Sequence, residues 1–432
     1  LAKLLRKFYF PGFRRWLLYT CLGFLVIIFG LALILKARPV TIIYNLLWDI
    51  LSFIADRIPP TTSGIIAISL GAVLLLYALF RANKQIFSLI APDESSMLEA
   101  LDRYQMQGRG LKVLAIGGGT GLSNMLRGLK EYSSNITAVV TVADDGGSSG
   151  KLRESMNIVP PGDMRNCIAA LAHDEEIITK LFQYRFDNEA PDSLRNHSFG
   201  NLFLTALVEL GGTGNMADAV RQACNILKTR GIVLPVSNIP MSLVAKMADD
   251  SLVRGESNIP KADGKIKKIF CEEPVPPVLP QVIEAIKLAE LIILGPGSLY
   301  TSVIPNLLVP DLLQAIDQSK APKVYICNVM TQPGETNNYS VSEHVKAILD
   351  HTEKGQKIID YVVVNNAEPD KNQLAKYKAD GQYPVEVDLF ELKKLGVKVI
   401  SANLLNKGNL VRHNPKKLAK TIMKHLGVSL SP

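Results

Sequence analysis

Two glycine-rich stretches carry the first chemical signal. In LKVLAI-GGGTGLSNMLRGLK, residues 111–130, an apolar run passes into Gly117-Gly118-Gly119-Thr120-Gly121 and then into a helical pattern. Glycines at a strand exit let the backbone turn tightly and bring N–H groups close to an anion, while the following helix N-terminus adds partial positive charge. Thr120 and Ser123 add hydroxyls. No Gly-Lys-Ser/Thr follows, so this is not a P-loop of the Walker type, and Leu122 breaks a strict dinucleotide fingerprint. A second junction, LIIL followed by Gly295-Pro296-Gly297-Ser298-Leu299-Tyr300-Thr301-Ser302, suits another pair of phosphate oxygens.

Polar loops between the two add further groups. Asp144-Asp145 in ADDGGSSG, 25 positions beyond Gly119, either grip a ribose hydroxyl or hold Mg²⁺ beside phosphates; the stretch is also ordinary turn chemistry. In PPGDMRN, Asp163 is either a helix N-cap or a site residue, and Arg165 and Asn166 have the reach to meet an anion or a sugar. Asn201 in HSFGN either caps a helix or offers its amide to a ligand, and His197 stands out among six histidines. Asn328 opens a fourth loop, NVMTQPGET, after KVYIC.

These loops need a scaffold that brings strand ends together. Strands are expected at 111–116, 136–142, 291–294, 323–327, 360–364 and 397–401. Helical periodicity appears around 122–131, 164–184, 201–209, 215–228, 281–290, 310–318, 341–350 and 415–425. Nearly continuous apolar strands between amphipathic helices predict a Rossmann-like, doubly wound, mostly parallel sheet, whose ligands sit outside the carboxyl ends of the strands. Residues 232–275 break the rhythm and read as a small antiparallel insertion.

The 432 residues carry a net charge of +8, and five scattered cysteines form no metal-ligand spacing and fit a reducing compartment. Much of the basic excess flanks apolar runs rather than forming a nucleic-acid patch. Residues 16–35 hold no charge over a length of about 30 Å if helical, and 59–80 form a second run. They predict a two-pass membrane hairpin over residues 1–84, with a linker at 85–110 and a soluble domain at 111–428 in the cytoplasm. Between the runs, 36–58 is either an interfacial amphipathic helix or a short exported loop.

Taken in order, GGGTGLSNMLRGLK, TVADDGGSSGKLR, PPGDMRNCIAAL, FGNLFLTAL, ILGPGSLYTSVIPNLLVPDL and CNVMTQPGET resemble the YvcK/CofD-like family, in its gluconeogenesis-factor branch, over about residues 110–428. The resemblance implies a nucleotide-binding α/β domain associated with UDP-sugars, notably UDP-N-acetylglucosamine, and with cell shape and wall synthesis. Its more distant branch implies a Mg²⁺-dependent 2-phospho-L-lactate transferase. Carried onto this chain, it places a diphosphate at Gly118, Gly119, Thr120, Gly297 and Ser298. Asp144 and Asp145 become ribose- or metal-binding acids, Asn201 and Asn328 line the cleft, Arg412 pairs with a phosphate, and Tyr377 is a candidate for stacking on the base. Asn414-Pro415 stands where relatives often carry Asp-Thr, so the threonine a phosphorylation switch there would need is absent. The expected protein is a membrane-tethered nucleotide-sugar sensor with a homodimer as its assembly and no nucleic-acid partner; the alternative is a phosphotransferase, and a dinucleotide oxidoreductase is the weaker third reading.

Overall fold

The computed structural model describes residues 38–55, parts of 59–77, and 110–427 apart from 187–189, 192–193, 212–214, 273, 354–355, 407 and 409. Two compact units divide the chain, Leu1–Met97 and Leu98–Pro432.

In the first unit, helix α1 covers Arg38–Ala55, the helical alternative of the two expected there. Its Ile42, Tyr44, Leu46, Trp48 and Phe53 are all exposed. The first apolar run, 16–35, lies outside the described residues, and so does the linker up to 109. Where the second run is described between 61 and 77 it is helical. Among the described residues, no single helix is long and apolar enough to cross a membrane.

The second unit is built on ten strands: β1 Val113–Gly117, β2 Ile136–Val140, β3 Ile232–Pro235, β4 Leu243–Met247, β5 Leu252–Arg254, β6 Ile266–Cys271, β7 Leu291–Leu294, β8 Lys323–Ile326, β9 Tyr361–Asn365 and β10 Lys398–Ala402. Seven of them form one sheet in the order β10-β9-β8-β7-β1-β2-β3, every pair parallel. Strands β5-β4-β6 form a separate antiparallel sheet. Each of the six expected parallel strands is present. The seventh, β3, was read as part of the insertion, because IVLP is short and runs at once into turn residues; it pairs with β2, and the antiparallel sheet begins only at Leu243.

All of β1, β7 and β8 is buried, as a parallel sheet covered on both faces requires. Helix α2 (Gly119–Leu129) follows β1 and buries Leu122, Met125, Leu126 and Leu129, an i, i+3, i+4, i+7 stripe. The periodicity at 164–184 resolves into two helices, Gly162–Leu171 and Glu175–Gln183. The buried Lys130 ammonium takes the Ala170 carbonyl at 2.7 Å and the Ala172 carbonyl at 3.3 Å, satisfying the end of the first.

The C-terminal helix Pro415–Ile422 packs across α2. Asn414 accepts the Lys417 N–H at 2.9 Å and Pro415 fills the first helical position, so the Asn-Pro pair is helix-start chemistry. A Cβ on Gly128 would lie 2.0 Å from the Pro415 carbonyl oxygen. Gly128→Ala should therefore force the two helices apart and destabilise the domain by about 1–3 kcal/mol, the usual cost of overpacking. Thermal or urea denaturation checks this, and an unchanged midpoint would mean that the crossing is not close.

Candidate functional site: a cleft at the reversal of strand order

Strand order reverses between β1 and β7, so the chain leaves those two neighbours into opposite halves of the sheet. Open α/β sheets bind ligands at such a point. The two glycine turns meet there. Gly118 is the N-cap of α2 in extended conformation, and Gly119 has φ +64°, a left-handed conformation that favours glycine. A Cβ on Gly121 would lie 2.2 Å from the Pro296 carbonyl oxygen and 2.9 Å from the Gly297 nitrogen. One on Gly297 would lie 3.3 Å from the Gly118 oxygen.

The glycines at the bottom of each turn have sheet duties. The Gly117 carbonyl accepts the Thr141 N–H at 3.0 Å, and the Gly295 N–H donates to the Ile116 carbonyl at 2.8 Å. Both were expected at the phosphate, yet the structure places them in or beside the β-ladder. Leu299 is fully buried, which leaves only its main chain for a ligand.

Above the turns lies a cavity of about 440 Å³ lined by Thr120, Gly121, Asn124, Gly297, Ser298, Asn328, Gln332, Tyr377, Gln382, Arg412 and His413, among others. Asn328 clasps the Gly297 peptide: its Nδ2 donates to the carbonyl at 2.7 Å and its Oδ1 accepts the N–H at 3.3 Å. Gln332 donates to Ser298 Oγ at 2.7 Å. It also reaches Glu335 at 2.9 Å, and Glu335 in turn accepts the Tyr300 N–H at 3.0 Å. Burial pushes the Glu335 carboxyl up to about 7, against the hydrogen bonds it accepts. The Tyr377 hydroxyl accepts the Val411 N–H at 3.0 Å, and its ring packs with Val329, Met330 and Val411. Arg412 is exposed in the cavity wall and, among the described residues, makes no ion pair. His413 is buried, and burial alone pulls its imidazole down to about 4.

On the other side of the first turn is a cluster of acids. Helix Gly162–Leu171 has Pro161 as its N-cap, so Asp163 does not cap it. The Asp163 carboxylate instead accepts the Gly119 N–H, and a Cβ on Gly118 would lie 2.6 Å from its Oδ2. Burial first, then Asp144, pushes Asp163 up to about 7. Glu256, from the loop after β5, is pushed up to about 8 by the same two causes. Asp144 is also raised, chiefly by burial, while it accepts the Gly146 N–H at 3.0 Å and a bond from Ser149.

Asp145 turns the other way. It accepts the Glu256 and Ser257 N–H groups, each at 2.8 Å, and so pins the loop after β5. The two adjacent carboxylates therefore do not fit a cation as a unit. Among the described residues, no group of three or more His, Cys, Asp or Glu is arranged to hold a metal.

Arg165, Asn166 and Asn201 form a brace beside these acids rather than a wall of the cavity. Arg165 donates to Asn166 Oδ1 at 3.0 Å, to Asn201 Oδ1 at 3.1 Å and to Ser198. Asn201 donates to Ser148 Oγ at 3.0 Å. Thr120, Gly121, Gly297, Ser298, Asn328, Tyr377 and Arg412 are thus brought to one cavity, whereas Asp144, Asp163, Arg165, Asn166 and Asn201 gather behind it. Glu256, Glu335, Gln332 and Gln382 were not singled out from the sequence. Only the TQPGET stretch around Gln332 and Glu335 offered a signal.

A family model described as 2-phospho-L-lactate transferase CofD matches residues 113–405. A gluconeogenesis factor from Bacillus subtilis is 46% identical over 72% of this chain and 97% of its own. The chain belongs to this CofD-like family, in its gluconeogenesis-factor branch. A relative from Nostoc sp. (strain PCC 7120) is 47% identical over 98% of this chain and 92% of its own, first unit included. A crystal structure of a UPF0052-family protein from Bacillus halodurans superposes with a TM-score of 0.69 at 47% identity, over 72% of this chain and 99% of that one.

In this CofD-like protein Asp163 carries a pH consequence. Its carboxyl has an ordinary value of 3.8 and rises to about 7 on folding, so the folded chain keeps the proton longer. Ionising it opposes folding: the effect is absent below the ordinary value, grows as pH rises through about 7, and is complete above that. Asp163→Asn should reduce the loss of stability between about pH 4 and 7 in urea denaturation. A slope identical to the wild type would show that Asp163 ionises freely.

Proposed function

We propose that this protein is a nucleotide-sugar-binding regulatory protein of the gluconeogenesis-factor family, with a UDP-N-acetylglucosamine-like ligand. The single observation that carries the reading is the cavity over the two touching glycine turns, with Arg412, which makes no ion pair among the described residues, in its wall. Asp163 takes the Gly119 N–H, while the Thr120 and Gly121 N–H groups of the first turn of α2 lack intrahelical partners and suit an anion, and Arg412 supplies a fixed positive charge for a diphosphate. A volume of about 440 Å³ lies within the range of small-molecule sites. Tyr377, at the apolar side with Met330 and Val411, is suited to a base. The relatives called gluconeogenesis factors support a role in central carbon metabolism and, with it, cell shape and wall supply.

The N-terminal runs 16–35 and 59–80 support tethering at the inner membrane by a two-pass hairpin, with the nucleotide-binding unit in the cytoplasm, and a homodimer is the proposed assembly. A reporter fused after residue 84 should read as cytoplasmic; periplasmic activity would reject that orientation.

A second reading, a phosphotransferase similar to 2-phospho-L-lactate transferase, is favoured by the family model and by the acids packed behind Gly118 and Gly119. Calorimetry with UDP-N-acetylglucosamine, GTP and NAD, with and without Mg²⁺, separates the two. Binding without turnover supports the sensor, and release of nucleoside monophosphate or pyrophosphate supports the transferase.

Arg412→Ala should weaken UDP-N-acetylglucosamine binding by about 10- to 100-fold, or about 1.4–2.8 kcal/mol, with Arg412→Lys in between because a lysine cannot bridge two oxygens. An unchanged Kd would take the diphosphate away from this wall.

A further inference from the structure

Behind the acids, a serine and a histidine 49 residues apart in sequence come together. Ser148 Oγ lies 3.0 Å from His197 Nδ1. The hydrogen-bond pattern around Ser148 starts from Arg165. Arg165 Nη1 donates to Asn201 Oδ1 at 3.1 Å, which sets the orientation of that amide. The Asn201 Nδ2 can then only donate, and it reaches Ser148 Oγ at 3.0 Å. One lone pair of Ser148 is thereby filled from the Asn201 side, and in the Nε2–H tautomer of His197 the hydroxyl hydrogen points at Nδ1.

The imidazole is suited to receive it. Partial burial, together with Lys151 and Arg185, keeps His197 below its usual value and hence neutral near pH 7. Ser148 is also the second residue of the ten-residue helix Gly147–Met156, whose N-cap, Gly146, has no side chain to occupy the first-turn N–H groups. Ser148 is itself buried, with the exposed Gly147 and the half-buried His197 on either side of it. Arg165, Arg185 and Lys151 give the surroundings positive character, while Asp144 and Asp163 lie behind Ser149 and Gly118. Ser149, the neighbour, has no histidine partner and bonds to Asp144 instead.

We propose that Ser148 is an activated nucleophile toward phosphate esters and anhydrides, with His197 as its general base. The Ser148 Oγ–P bond forms as the bond from phosphorus to the leaving group breaks; the leaving group departs with the electron pair, and the Ser148 proton passes to His197 Nδ1. The product is a phosphoserine at the start of a helix, where N–H groups and nearby cations favour negative charge.

The test uses the purified full chain and a fluorophosphonate probe, with peptide mass mapping. Labelling of Ser148 should exceed that of Ser149 at least tenfold, fall at least tenfold in His197→Gln, and decline as the buffer is acidified below about pH 6. A second variant guards against misfolding. Ser148→Cys places a thiol beside the same base, and among the described residues the other cysteines are all buried. Its alkylation by iodoacetamide should titrate at least one unit below the ordinary value of about 8.5. Absence of preferential labelling at Ser148, or a Ser148→Cys thiol that titrates at its ordinary value, would overturn the proposal.

Discussion

Everything around the cleft depends on the backbone contact between the two glycine turns. The Pro296 carbonyl occupies the space where residue 121 would carry its first side-chain carbon. That approach is possible only because β7 lies beside and parallel to β1, so their ends open side by side before the chain leaves each for an opposite half of the sheet. The contact sets the distance between the start of α2 and the turn at Ser298. It therefore fixes how far apart the two turns present their main-chain groups to the cavity. Each turn also has a buried carboxyl at its amides, Asp163 on Gly119 and Glu335 on Tyr300. Both are raised to about 7, so near neutral pH each exists partly as a neutral acid, and the local charge facing an incoming anion is lower than a count of carboxylates suggests.

The cleft has two unlike sides. Toward Arg412 and Tyr377 the groups are exposed or half-buried and bond mainly to main chain, as a wall for a ligand should. Toward Asp144, Asp163 and Arg165 the side chains form a chain of bonds in which each holds the next in place: buried Arg165 orients Asn201, and Asn201 holds Ser148. Gly200 allows this packing, since a Cβ there would lie 2.7 Å from Arg165 Cδ. The division explains why residues that look equally polar in sequence have different parts to play.

Much of the scaffold was legible because parallel strands buried on both faces read as unbroken apolar runs, and six such runs were found within a residue or two of their observed ends. The strand at 232–235 was not, since four residues ending in proline give no period to read. The cavity wall was legible where glycine and hydroxyl residues cluster at strand exits. Side-chain direction was less so. Asp144 and Asp145 are neighbours in the chain, yet a single reversal of backbone direction sends one to Gly146 and Ser149 and the other to the loop at 256–257. Asp163 satisfied every local rule for a helix cap, and a long-range acceptor role at Gly119 took precedence. Glu256 lies 111 positions from its clamp on Asp145, a distance that no local pattern spans.

The wall formed by Arg412 and His413 comes from the segment after β10, the last strand to join the sheet. It is held to the rest by the Asn124 amide on the His413 carbonyl, at 2.7 Å, and by the Val411 N–H on Tyr377. Synthesis runs from the other end, so both glycine turns are made long before this wall, whereas β10 precedes Arg412 by only about ten residues. The cavity over the glycine turns is thus closed on this side by one of the last segments of the domain to be made.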